Sequence, residues 1–167
     1  FSANGIKAYL FESLRPTPEI SFAIRQLGAQ AGVNVTASHN PKEYNGYKAY
    51  WNDGSQVTSP HDTNIIKEVE KITEVSQVLT GGNPENITIL GEEFDKIYLA
   101  AIKALSLSPE CVANNADMKI VYTPLHGAGV NLVPASLANF GFKNVITVKE
   151  QCVLDGNFPT VASPNPE

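Results

Sequence analysis

Cysteine is scarce in this chain: Cys111 and Cys152 are the only two among 167 residues. Neither stands at a metal-ligand spacing from a partner, which points to a reducing compartment. Basic residues are outnumbered, 12 against 17 acidic, for a formal net charge of -5. That balance argues against nucleic-acid binding. It does not exclude a phosphorylated ligand, because an acidic protein can hold a locally positive pocket. No apolar run approaches the length of a membrane-spanning helix, so no membrane association is expected. No basic leader or signal peptide opens the chain at Phe1, and the expected location is cytoplasmic. The start at Phe1 rather than Met, and the end at "SPNPE", read as a fragment of a longer protein.

What the chain does have is enough apolar content for a packed core: 43% hydrophobic residues against 17% charged. Residues 5–11, "GIKAYLF", read as a strand. Thr17 and Pro18 suit the start of a helix, with Glu19 in its first turn. That helix is expected to run to about Ala31, burying Ile20, Ala23, Ile24, Leu27 and Ala31, with Gly32 closing it. Strands follow at 32–36 and 47–51, the second ending in an Asp53-Gly54 turn. Ser59, Pro60 and Asp62 propose a capped helix reaching about Val75. Residues 86–90 form a short strand or an extended linker.

The pattern restarts after Gly91. A helix is expected over 92–105, a short one over 108–114 and a third over 130–140, with strands at 119–122 and 144–148. The loop "TPLHGAG" (123–129) follows the first of these strands, and the segment from Glu150 on has three prolines and no clear period. Strands alternating with helices predict an α/β fold of three α/β/α layers with a mixed sheet. Residues 1–90 make one domain, and 91–167 make an incomplete second domain of similar type.

One loop suggests chemistry. "TASHNP" (36–41) follows a short apolar strand, and ligands of open α/β sheets sit beyond the carboxyl ends of strands. Composition alone leaves an ordinary turn open, since Ser, Asn and Pro collect in turns for backbone reasons. A serine at this place can be a nucleophile, a metal ligand or a phosphate carrier. Neither a G-x-S-x-G elbow nor a P-loop motif is present. His39 adjoins Ser38, and Lys48 follows ten residues on.

The segment "GVNVTASHNPKEYNGYKAYWNDGSQV" closely resembles the active-site segment of the alpha-D-phosphohexomutases, within the phosphoglucomutase/phosphomannomutase group that includes the phosphoglucomutase-2-like and phosphopentomutase enzymes. "LRPTPEI", "SPHD", "YTPLHGAG" and "DGNFPTVASPNPE" resemble other segments of those proteins. The resemblance implies reversible phosphoryl transfer between the 1- and 6- (or 5-) positions of a sugar phosphate, through a phosphoserine and a bisphosphorylated intermediate. It gives Ser38 the carrier role and makes its phosphate a magnesium ligand. Lys48 matches the lysine that assists proton transfer and stabilises charge, and His39 follows the serine as in the family pattern. Arg15, Asn40 and His126 become candidate phosphate- or substrate-binding residues. Tyr47, Tyr50 and Trp51 are expected to pack, Gly46 to permit a turn, and Asp155 to be structural.

The same resemblance implies a hexose bisphosphate as activator or intermediate and the missing domains of the same parent as partners. The family's Asp-x-Asp-x-Asp-Arg metal loop, its sugar-recognition loop and its C-terminal phosphate loop do not occur in the sequence. The parent is therefore expected to be a mutase and this piece alone inactive, since transfer by positioning and electrostatics needs the whole cleft. The alternatives are a truncated relative that binds a phosphosugar or a protein without turnover, and a non-enzymatic α/β domain.

Overall fold

A computed structural model describes residues 1–165; Pro166 and Glu167, the end of the "SPNPE" motif, lie outside it. The chain divides into two compact units built from non-contiguous segments. Residues 1–14, 20–34 and 48–91 form one unit; residues 15–19, 35–47 and 92–167 form the other.

In the first unit, strands β1 (Ala8–Phe11) and β4 (Ile87–Leu90) run parallel, with Ala8 opposite Ile87 and Phe11 opposite Leu90. The apolar run at 87–90 is thus a strand and not a linker. Helix α1 (Thr17–Gln26) begins in the second unit and continues into the first. Ala23 and Ile24 on its inner face are buried, as are Tyr50, Val57 and Leu90 of the same unit. The helix stops at Gln26, short of the expected Ala31. Gly28, at φ +61°, supplies the left-handed residue that ends it, and the Ala29 N–H returns to the Ile24 carbonyl at 2.9 Å. Gly32 has another task. It lies in β2 (Ala31–Thr36), where an added Cβ would fall 2.8 Å from Ile24 Cγ1.

Strand β2 pairs with β3 (Gly46–Trp51). The Asp53-Gly54 turn forms as expected: Gly54 has φ +81°, its N–H reaches the Trp51 carbonyl at 2.9 Å, and Asp53 Oδ1 accepts from the Ser55 N–H at 2.8 Å. Ser21 and Arg25 of α1 donate to the Gly54 and Asp53 carbonyls at 2.7 and 3.1 Å, tying helix to turn. Helix α2 (His61–Val69) is shorter than its apolar pattern suggested, and Pro60 precedes it without a side-chain cap. Asp62 bonds to the adjacent Thr63 N–H instead of closing a capping box. A capping box does occur further on, between Glu74 and Gln77, and it starts a separate 3-10 turn.

The second unit contains α3 (Glu92–Ala104), α4 (Pro109–Asn114), β5 (Ile120–Tyr122), α5 (Leu132–Phe140) and β6 (Val145–Thr147). β5 and β6 are parallel, with Ile120 opposite Val145. Helices α3 and α5 pack together, and Asn139 donates to the Leu99 carbonyl at 3.2 Å. Phe94 and Leu132 are the buried apolar side chains of this unit; beside them Arg15, Glu19 and His126 are buried too. A unit that buries three ionisable groups must satisfy or neutralise each of them. No helix among the described residues is long and apolar enough to cross a membrane.

Candidate active site

Strand β2 ends at Thr36 and delivers the chain into the serine loop. The Ser38 N–H is taken by Thr36 Oγ1 at 2.9 Å, and the Asn40 N–H by the Ala37 carbonyl at 3.0 Å. Ser38 adopts φ +58°, a left-handed conformation that costs a non-glycine residue roughly 1–2 kcal/mol. The turn presents Ser38, His39 and Asn40 to solvent. A single 3-10 turn, Lys42–Tyr44, then returns the chain to β3. Gly46 starts that strand without a left-handed φ. A Cβ there would meet the Tyr44 and Thr36 carbonyls at ordinary distances of 3.7 and 3.9 Å, so the expected turn role of Gly46 does not hold.

Lys48 lies in β3 of the first unit and is half-buried. Of the three neighbouring aromatics, Tyr50 is buried, while Tyr47 and Trp51 are exposed. Trp51 nonetheless packs edge-on against His61, with ring centroids 5.4 Å apart.

Arg15 is buried in the second unit. Its Nε and Nη2 donate to the two carboxylate oxygens of Asp95, both at 2.8 Å, in the bidentate fork that suits guanidinium and carboxylate. Glu19, one helical turn on, lies 3.8 Å from Arg15 Nε and is fully buried. Burial pushes the Glu19 carboxyl up to about 7. The charge and close approach of the Asp95 carboxylate add to the rise, against the opposing pull of Arg15.

His126 is likewise buried, at φ +62°. Its Nδ1 lies 2.7 Å from the Val153 carbonyl, which can only accept, so Nδ1 carries the proton. Nε2 then accepts from the Thr160 hydroxyl at 2.9 Å. Thr160 in turn accepts from Gln151 Nε2 at 2.9 Å, and Gln151 Oε1 accepts from the Thr123 hydroxyl. This directed chain of hydrogen bonds ties the 123–129 loop to the 151–160 segment.

Sequence reasoning missed several partners. Asp95 drew no role from the sequence, and Glu19 counted only as a first-turn helix acid. The Arg15/Glu19 spacing of four residues was the available signal. Lys42, four residues beyond Ser38, donates to Asn157 Oδ1 at 2.6 Å. Asp155 holds the same turn by accepting from the Asn157 backbone and side-chain N–H groups at 2.8 and 2.9 Å. A cavity of about 250 Å³ lies between these segments, lined by Pro41, Lys42, Glu43, Asn157, Phe158 and Val161 among others. Among the described residues no group of three His, Cys, Asp or Glu side chains could hold a metal ion.

Comparison with known proteins places these features in a family. The phosphoglucomutase/phosphomannomutase alpha/beta/alpha domain I model matches residues 1–76, and the corresponding domain II model matches residues 96–167. A Staphylococcus haemolyticus phosphoglucomutase is 39% identical over 99% of this chain and 30% of its own length. The human glucose 1,6-bisphosphate synthase is 38% identical over 99% of this chain and 27% of its own. A solved structure from Thermus thermophilus, provisionally named a phosphomannomutase, superposes with a TM-score of 0.76 at 27% identity. It is matched over 99% of this chain and 35% of its own. The chain therefore spans about a third of the length of the relatives it matches. It belongs to the phosphoglucomutase/phosphomannomutase family, matching the alpha/beta/alpha domains I and II.

Proposed function

We propose that this chain is the phosphoserine-bearing part of a cytoplasmic sugar-phosphate mutase, with Ser38 as the phosphoryl carrier. The observation that carries this reading is the exposed Ser38 at the carboxyl end of β2, in a left-handed turn inside the segment matched to domain I. In the proposed cycle the Ser38 Oγ–P bond breaks as a bond forms from phosphorus to a sugar hydroxyl oxygen. The resulting bisphosphate turns over, and its other phosphoryl group returns to Ser38 Oγ. Residues 1–90 supply most of domain I and residues 91–167 the start of domain II.

Lys48 assists proton transfer at the sugar hydroxyl and stabilises the charge that develops there. His39 and Asn40 line the phosphate from the same loop. Arg15 and His126 belong to the substrate-binding side of the cleft, Arg15 held by Asp95 and His126 by Val153 and Thr160. The substrate is glucose phosphate, with pentose phosphate as a second substrate, and a hexose bisphosphate primes the serine.

Magnesium favours oxygen ligands and would neutralise charge on the transferring group. The described residues offer it one ligand, the phosphate of Ser38, and no carboxylate cluster to complete a site. The remaining ligands belong to other domains of the parent, as does competence for turnover.

The test is conversion of glucose 1-phosphate to glucose 6-phosphate by the full-length parent beside its Ser38→Ala variant. Loss of turnover by about 10³-fold or more, with the variant still folded, is expected for removal of a covalent carrier. Retained turnover would contradict the carrier role. Binding of the sugar phosphate without turnover by the unaltered parent would favour a non-catalytic relative.

A further inference from the structure

The phosphoryl-transfer reading gives no task to the most deeply buried charge of the second unit. Glu19 has no exposed surface, and neither of its carboxylate oxygens has a hydrogen-bond partner among the described residues. Arg15 sits on one side, but its fork is aligned on Asp95 and stands 3.8 Å from Glu19. Asp95, from α3, is on the other. Tyr98, one turn further along α3, has a phenol raised mainly by burial and further by the Glu19 charge. The Arg15 guanidinium, the Asp95 carboxylate and the Tyr98 phenol are thus coupled to Glu19 among the described residues.

Two ionised carboxylates with a single guanidinium leave one excess negative charge beside the fully buried Glu19, which is strongly unfavourable. A proton on Glu19 removes that excess. A protonated Glu19 becomes a donor, and Asp95 is the acceptor beside it.

From this geometry we infer that Glu19, Asp95 and Arg15 form a proton-dependent clasp that fastens the start of α1 to the first turn of α3. The clasp is tight when Glu19 carries its proton and loosens when Glu19 ionises. The second unit therefore responds to pH near neutrality through a group that does not touch substrate. This inference does not rest on the proposed transfer chemistry.

The experiment is infrared spectroscopy of the chain carrying ¹³C-labelled glutamate, titrated from pH 5 to 9, together with thermal unfolding over the same range. A ¹³C-shifted protonated-carboxyl band that persists well above the ordinary glutamate range is expected, and it should vanish as pH rises through about 7. The melting temperature should fall as pH rises from 5 to about 7 and then level off. Glu19→Gln should remove the band and flatten the melting profile. Glu19→Gln keeps the donor that the protonated acid supplies, so it is expected to fold. If it does not, the band and melting profile of the unaltered chain decide alone. Absence of the band at pH 6, or a Glu19→Gln variant whose melting profile keeps its full slope, would overturn the clasp.

Discussion

Ser38 and His126 share an unusual backbone, φ +58° and +62°, but differ in every other respect. Ser38 is exposed, and its strain is not repaid by any burial of its side chain. Ser38→Gly should therefore raise stability by about 1 kcal/mol while abolishing phosphorylation, measured by chemical denaturation and intact mass. A destabilised glycine variant would show that the serine side chain supports the fold. His126 is strained yet buried, and it makes two hydrogen bonds. His126→Ala strands the Val153 carbonyl and breaks the chain to Thr160. It should cost about 2–3 kcal/mol and speed amide exchange across residues 151–160. Wild-type exchange in that segment would refute the linkage.

Glu19 makes a third residue-scale prediction, with the sign fixed by its raised carboxyl. The folded chain holds this proton up to about pH 7, whereas the unfolded chain releases it near 4.5. Between those values the folded state binds more protons, so stability falls as pH rises from about 4.5 to 7 and then levels off. The span corresponds to on the order of 3 kcal/mol. Of these residues the sequence made Ser38 legible, through a resemblance rather than through composition. It flagged His126 but not what the ring holds, because its partners lie 27 and 34 residues away. The Arg15–Asp95 pair spans 80 residues and could not be read before folding.

At the scale of elements, the sequence pattern located the α-helices and, but for 87–90, the strands of the described residues, while local turn chemistry decided where they end. Helix α1 stops at Gly28 rather than Gly32 because the left-handed φ is taken up there. The pattern beyond Val69 continued to suggest α2, but the Glu74/Gln77 capping box opens a new turn instead. The Asp53-Gly54 turn was legible from its dipeptide. Its ties to Ser21 and Arg25 were not, since they depend on where α1 packs. Those ties make a contrast between two glycines. Both Gly54 and Gly81 have left-handed φ, +81° and +73°. A Cβ at Gly54 would lie 2.6 Å from the Ser21 carbonyl oxygen, whereas one at Gly81 meets nothing within 4 Å. Gly81→Ala should cost about 1 kcal/mol from its backbone alone. Gly54→Ala should cost at least about 1 kcal/mol more and uncouple the turn from α1. Equal losses in urea unfolding would contradict the role assigned to Ser21.

For the molecule as a whole, the α/β class followed from alternating strands and helices, and both family models match it. Among the described residues the strands pair β1 with β4, β2 with β3 and β5 with β6. Pairing partners are set by packing and not by the strands' own sequences. Each parallel pair leaves apolar side chains in water: Tyr9, Leu10 and Ile89 in one, Val121 and Ile146 in the other. Unpaired strand edges beside such side chains favour pairing with another chain. The chain should therefore associate as its concentration rises, seen as a growing sedimentation coefficient in analytical ultracentrifugation. A concentration-independent monomer would count against this.

The central claim is that Ser38 carries phosphate. The most direct measurement is intact mass and peptide mapping of the full-length parent after incubation with a hexose bisphosphate, beside the Ser38→Ala variant. The expected result is the mass of one added phosphoryl group, mapped to Ser38 and missing from the variant. A parent that takes up no phosphate, or takes it up equally in the variant, would reduce the serine loop to a strained turn.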